Sequence, residues 1–141
     1  MSTNLYPTGV RLMDPADVLT MDAVKAPRTI NVTAGTLSVG DMTGGANVTL
    51  ISSNATPGTQ TTRTALQMYG EDPCAALGWG YRLRICNSGA GTLTLAGGAG
   101  VTVTGTATVA TATYREFDVV YGGVLGAPTM TITNVGLGTF T

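Results

Sequence analysis

Gly80-Tyr81-Arg82-Leu83-Arg84-Ile85-Cys86-Asn87 opens the stretch that decides the fold. Thr92-Leu93-Thr94-Leu95-Ala96 and Val101-Thr102-Val103-Thr104-Gly105-Thr106-Ala107-Thr108-Val109 follow, and Tyr114-Arg115-Glu116-Phe117-Asp118-Val119-Val120-Tyr121 closes it. Apolar and polar residues alternate through most of it, the pattern of strands with one buried and one wet face. Tyr81, Leu83 and Ile85 share a face against Arg82, Arg84 and Cys86. Phe117 and Val119 oppose Glu116 and Asp118 in the same way, and Arg115 falls on the Phe117 side, where it either snorkels at an edge or marks a bulge. Gly105 in mid-strand predicts a bulge or bend. Gly- and Ala-rich breaks at 87–91, 97–100 and 110–113 separate four consecutive antiparallel strands, with the glycines serving hairpin turns.

Outward from this stretch, residues 29–32, 37–39, 48–51 and 129–133 read as further strands. Residues 52–60 read as a polar loop around Pro57-Gly58, and 134–141 as a Gly-rich tail ending at Phe140. Thr61 or Thr62 caps a helix whose Leu66 and Tyr69 face plugs one end of the core, with Gly70 closing it in the left-handed conformation. Residues 1–28 have no clean periodicity beyond a helical turn starting at Asp14-Pro15. They read as an N-terminal arm, either frayed or ordered on a neighbouring subunit, ahead of a single domain at 29–141. The expected fold class is all-β: a jelly-roll-like antiparallel β-sandwich with one short helix at about 62–69. A β-solenoid is the competing architecture, because Thr-Leu-Thr-Leu and Val-Thr-Val-Thr look repetitive, but the pattern breaks at Tyr114.

Charged residues make up only 11% of the 141-residue chain, against about 25% in typical domains. So low a charge suggests a surface covered by copies of itself or by another protein. The net charge is −1. Arg11, Lys25, Arg28, Arg63, Arg82, Arg84 and Arg115 are scattered rather than clustered, so no nucleic-acid partner is expected. No run of about 20 apolar residues suggests a membrane span. The N-terminal residues lack the features of a secretory signal, so Cys74 and Cys86 are expected as reduced thiols, with a disulfide between them as the alternative.

The sequence holds no His, which removes the commonest general base and metal ligand together. Glu71 and Asp72 are neighbours in a loop and need not converge. Glu116 and Asp118 have a spacing that suits one ligand or one Ca²⁺, but the plainer reading sets them across the sheet from Arg82 and Arg84. A glycosidase would hold its two carboxylates across a cleft, which one flat strand does not make. The glycine clusters lack the Lys and Ser/Thr of a phosphate loop. Trp79 and Tyr81 fit either a sugar-binding platform or the core, and large aromatics dominate burial. No catalytic, cofactor-binding or metal site is expected, no cofactor is implied, and the chain reads as structural rather than enzymatic.

Thr61-Thr62-Arg63-Thr64-Ala65-Leu66-Gln67-Met68, the segment from Tyr81 to Ala96, the segment from Gly100 to Val109 and Thr131-Ile132-Thr133-Asn134-Val135-Gly136 together resemble small virion proteins of tailed bacteriophages. The likeness covers about residues 61–141. It is to capsid cement or decoration proteins with a jelly-roll fold, of the type carried by short-tailed phages such as the Bordetella phage. The resemblance implies a protein made in the host cytoplasm and placed on the capsid exterior of the virion. There a homo-oligomer, a dimer or trimer, would hold subunits of the major capsid protein together. The alternative is a tail or fibre module that binds a receptor glycan.

Overall fold

The computed structural model describes residues 25–30, 32–73 and 75–140. In chain order these form β1 (Arg28–Ile30), β2 (Gly35–Thr36), β3 (Asn47–Ser52), β4 (Gly58–Thr61), α1 (Ala65–Glu71), β5 (Gly80–Asn87), β6 (Leu93–Ala96), β7 (Val101–Thr104), β8 (Thr108–Val109), β9 (Thr113–Val124) and β10 (Ala127–Thr139). One sheet has six strands in the order β1-β3-β5-β9-β10-β7, and the other has four in the order β2-β4-β6-β8. Among the described residues the fold is all-β with one short helix, and the strands follow the alternation.

The pairing differs from the expected antiparallel jelly roll. Strands β1, β3 and β5 are parallel in the first sheet, and β2, β4 and β6 are parallel in the second. The chain steps from one sheet to the other at each corner, so β1–β2, β3–β4 and β5–β6 stack as successive turns of a short coil. Thus β5 and β6, read from sequence as antiparallel neighbours, lie in different sheets. The run 101–109 also divides: Gly105, at φ +85°, turns the chain out of β7 in one sheet toward β8 in the other. Among the described residues, antiparallel ladders appear only where β9 joins β5 and β10, and where β8 joins β6. Alternation reports which side chains are buried but is blind to strand direction, which explains the error.

The glycines that read as hairpin turns are instead packed corners of the coil. A Cβ on Gly91 would lie 2.1 Å from the Thr56 carbonyl carbon, and one on Gly89 would lie 2.2 Å from the Asn54 carbonyl oxygen. Each corner rests directly on the backbone of the turn below. The segment 52–60, read as a loop, contributes β4, whose Gln60 is fully buried and pairs in register with Leu95. A polar strand of this kind carries no apolar alternation to announce it.

Both sheets feed one core. Val48, Leu83 and Phe117 lie in register across β3, β5 and β9, and Tyr81, Val119, Ile132 and Val103 form a second row across β5, β9, β10 and β7. Leu93, Leu95 and Val109 from the second sheet, with Leu37 just past β2, join the same cluster. The helix begins later than expected. Thr64 caps it, with its hydroxyl accepting from Gln67 N at 3.1 Å while the Gln67 side chain accepts from Thr64 N at 3.1 Å. Ala65 and Met68 are its buried residues, whereas Leu66 is 61% exposed. Gly70 lies inside the helix rather than closing it in the left-handed region. Of the expected arm, 1–24 and the turn at Asp14 lie outside the described residues. Lys25 is already attached, its N donating to Asn47 O at 3.2 Å, and Arg28 belongs to β1.

The expected tail 134–141 is strand as far as Thr139. β9 is long enough to template it, and a register shift between Asn134 and Gly136 absorbs one residue. The Tyr114 ring covers Gly138 so closely that a Cβ there would lie 2.2 Å from it.

Candidate interaction surface

Four surface regions carry the residues that drew attention in the sequence. The first is the outer face of the larger sheet. Register sets Arg82 opposite Asp118 and Arg84 opposite Glu116. Arg82 Nε donates to Asp118 Oδ1 at 2.7 Å, and Arg84 donates to Glu116 through Nε at 3.0 Å. Arg84 also stacks over Tyr114, 4.8 Å from the ring centre. Its hydrogen bond to Glu116 holds its proton more tightly than usual. Each carboxylate is thus matched to an arginine across the strands, as the plainer reading expects. The shallow depression beside them, about 210 Å³, is lined by Asn47, Val48, Thr49, Arg82, Arg84 and Glu116. Arg115 reaches from the inner face to donate to Thr108 O on β8, which is the snorkelling alternative. The irregularity in this part of the sheet lies on β10 instead.

The second region is aromatic. Trp79 stacks on Tyr121 with centroids 6.1 Å apart and lies 5.5 Å from Tyr81, while Tyr69 of α1 meets Tyr121 edge-on at 5.5 Å. Tyr121 donates to Asp72 Oδ2 at 2.9 Å, tying the end of α1 to β9. The Tyr81 hydroxyl is buried without a hydrogen-bond partner. Burial pushes both phenols well above the usual tyrosine range. For Tyr121 the neighbouring Tyr81 and Asp72 add to the effect. Trp79 and Tyr81 therefore pack with the core cluster. Asp72, read as a loop carboxylate beside Glu71, is buried under this group, while Glu71 turns to Arg63 in an ion pair.

The third region is the coil's first corner. The Lys25 ammonium donates to the carbonyls of Gly40 and Thr43, and Arg28 pairs with Asp41 at 3.0 Å. Partial burial and the nearby Arg28 charge lower the Lys25 pKa, with Asp41 and Asp72 opposing. Cys86 is a free thiol on the outer sheet face, and burial raises its pKa. Cys74 lies outside the described residues. Among the described residues no group of three or more His, Cys, Asp or Glu comes together, and no helix is long and apolar enough to cross a membrane.

The fourth region went unmarked in the sequence. β9 and β10 overrun both neighbouring strands at their turn, and at the other end β10 overruns β7 while β5 stays paired with β9 as far as Thr113. At one end the turn exposes Val124 by 63% and Leu125 by 77%, with Gly123 and Gly126 at φ +80° and +88°. At the other end Val135 and Leu137 are 47% and 58% exposed. Val124-Leu125 sat between glycines in the sequence as an apolar pair that no strand pattern required, and that was the available signal. Large apolar side chains left bare at the ends of a rigid hairpin suit contact with another protein.

No protein-family model matches this chain, and no curated protein or solved structure shows significant similarity to it.

Proposed function

We propose that this chain is a virion structural protein of a tailed bacteriophage, a cement protein that binds the outer surface of the capsid and braces contacts between major capsid protein subunits. The observation that carries the reading is the β9–β10 hairpin, whose turn residues Val124 and Leu125 are the most exposed large apolar side chains among the described residues. A short apolar tip on a rigid sheet supplies a wedge for a groove between shell subunits. The low charge supports the same reading, since the surface is neither a nucleic-acid face nor a heavily solvated one. The likeness of the 61–141 segments to phage decoration proteins points the same way, although the parallel pairing of β1–β6 differs from the jelly roll that likeness implies. Each contact is small, and repetition over a closed shell makes the binding firm through avidity.

The test is co-sedimentation of the purified chain with expanded shells of the matching phage that lack it. Saturable, stoichiometric binding with a gain in the shells' thermal stability is expected. Failure to bind, or binding to the host surface instead, would overturn the reading.

A further inference from the structure

Most open sheet edges in this protein are short. β1 holds 3 residues, β2 holds 2, β7 holds 4 and β8 holds 2. Short edges are one way proteins avoid unwanted pairing. The distal half of β10 is different. β7 pairs with β10 only from Met130 to Thr133, whereas β9 pairs on as far as Thr139. Where β7 ends, the Asn134 side chain donates to Thr106 O at 3.0 Å, marking the point at which the neighbouring strand leaves the sheet. Beyond it, among the described residues, nothing pairs with the open side of residues 134–139. This edge reads Asn-Val-Gly-Leu-Gly-Thr, with no charge and no proline to protect it.

We propose that this edge is where a second copy of the chain docks, strand 134–139 against its own counterpart, antiparallel about a two-fold axis at Leu137. The sequence is self-complementary in that register. Leu137 faces Leu137 of the second copy, Gly136 faces Gly138, and Val135 faces Thr139. No like charges meet, and the glycines let the two backbones approach closely. The partly exposed Leu137 then buries against its equivalent and Val135 against Thr139 of the second copy, and the open backbone groups complete their hydrogen bonds in one sheet spanning both copies.

A neutral, self-matching strip fits another copy better than the chain's own N-terminal residues. Those join at Lys25, whose N bonds to Asn47 at the start of β3, on the far side of β5 and β9 from this edge. They also carry Arg11, Asp14, Asp17 and Asp22, which find no charge on the strip. The contact does not depend on any shell and is read in solution.

The experiment is light scattering on the full chain over a wide dilution series, with Leu137→Lys alongside. The wild type is expected at twice the chain mass. The variant, which sets two ammonium groups across the axis, is expected at the chain mass with an unchanged circular dichroism spectrum. If Leu137→Lys fails to fold, Leu137→Cys in a Cys74→Ser, Cys86→Ser background decides instead, and an oxidised covalent dimer is expected. Four results would overturn the proposal: a monomeric wild type, a trimer, an oligomer whose mass ignores Leu137→Lys, or no crosslink at position 137. Protection of 134–139 from hydrogen exchange in a monomer would assign the edge to the chain's own N-terminal residues. A dimer that fails to bind shells would leave this contact standing and sink the cement reading alone.

Discussion

The coil of β1–β6 and the β9–β10 hairpin are built from similar residues, yet they use them in opposite ways. In the coil, strands are short and polar groups turn inward. Ser52, Gln60, Thr62 and Asn87 are all buried. Asn87 Nδ2 donates to Gly91 O and Val109 O at 2.8 Å each, and its Oδ1 accepts from Gly89 N at 3.0 Å. The coil is thus held by backbone contacts at glycine corners and by side-chain amides that satisfy the carbonyls there. In the hairpin, strands of 12 and 13 residues are buried along their middles, the start of β9 is half-buried, and the turn and the distal half of β10 expose Val124, Leu125, Val135 and Leu137. The coil fixes its corners with such amides, although Gln60 Oε1 is buried without a hydrogen-bond partner and Val32 and Val39 are 54% and 59% exposed, whereas the hairpin turn carries the most exposed large apolar side chains among the described residues, Val124 and Leu125. Buried polar corners and the most exposed apolar side chains therefore lie in separate parts of the described structure.

The sharpest way to break this division is to disturb a coil corner. Asn87→Ala leaves the Gly91 and Val109 carbonyls and the Gly89 N–H short of partners, and should cost about 3 kcal/mol. Gly91→Ala should cost at least as much, about 3 kcal/mol or more, because its methyl meets backbone rather than a movable side chain. Urea denaturation of either variant checks this. Leu125→Ser at the hairpin tip should leave the urea midpoint within about 0.5 kcal/mol of wild type while abolishing shell binding. Equal losses at the corner and the tip would erase the distinction.

A second effect belongs to the junction of the two regions, where Tyr81 and Tyr121 pack beneath α1. Burial raises both phenols above their ordinary value of 10.0, so the folded protein keeps protons that the unfolded chain releases. Their contribution is fully present below pH 10 and is lost as pH climbs beyond it, at about 1.4 kcal/mol per pH unit for each phenol. Lys25 works in the opposite sense, its lowered pKa making stability rise with pH in the window below 10.5, but it is one partly buried group against two phenols. Tyr81→Phe should halve the alkaline slope. At pH 7 it should be neutral or slightly stabilising, because the lost hydroxyl has no partner. Denaturation at pH 7 and pH 11 measures both.

Smaller effects sharpen the picture. Gly70 sits inside α1 with nothing within 4 Å of an added Cβ, so Gly70→Ala should stabilise by about 0.5–1 kcal/mol, read as a higher urea midpoint. The ladder of Arg82, Arg84, Glu116 and Asp118 lies on the solvent face. Arg84→Ala should cost under about 1 kcal/mol, and less at high salt.

How far the sequence could be read depended on what kind of information each region carried. Tyr81-Leu83-Ile85 and Phe117-Val119 disclosed their faces because burial follows a period of two. That same register foretold the pairing of Arg82 and Arg84 with Asp118 and Glu116. The direction of β3 beside β5 was not legible, since side-chain alternation is identical in parallel and antiparallel strands. Gln60 hid β4 because a buried amide looks like a loop residue. Gly89 and Gly91 looked like turns, although what they need is room for the backbone beneath them. Leu137 was hidden among glycines, and only the reach of β9 made its segment a strand.

Electron microscopy of the phage particle tests the central claim most directly. The cement reading predicts density for this fold on the outside of the shell, with Val124 and Leu125 buried against major capsid protein at a boundary between subunits. Density confined to the tail, or a shell-bound copy whose hairpin tip faces solvent while the coil makes the contact, would contradict it.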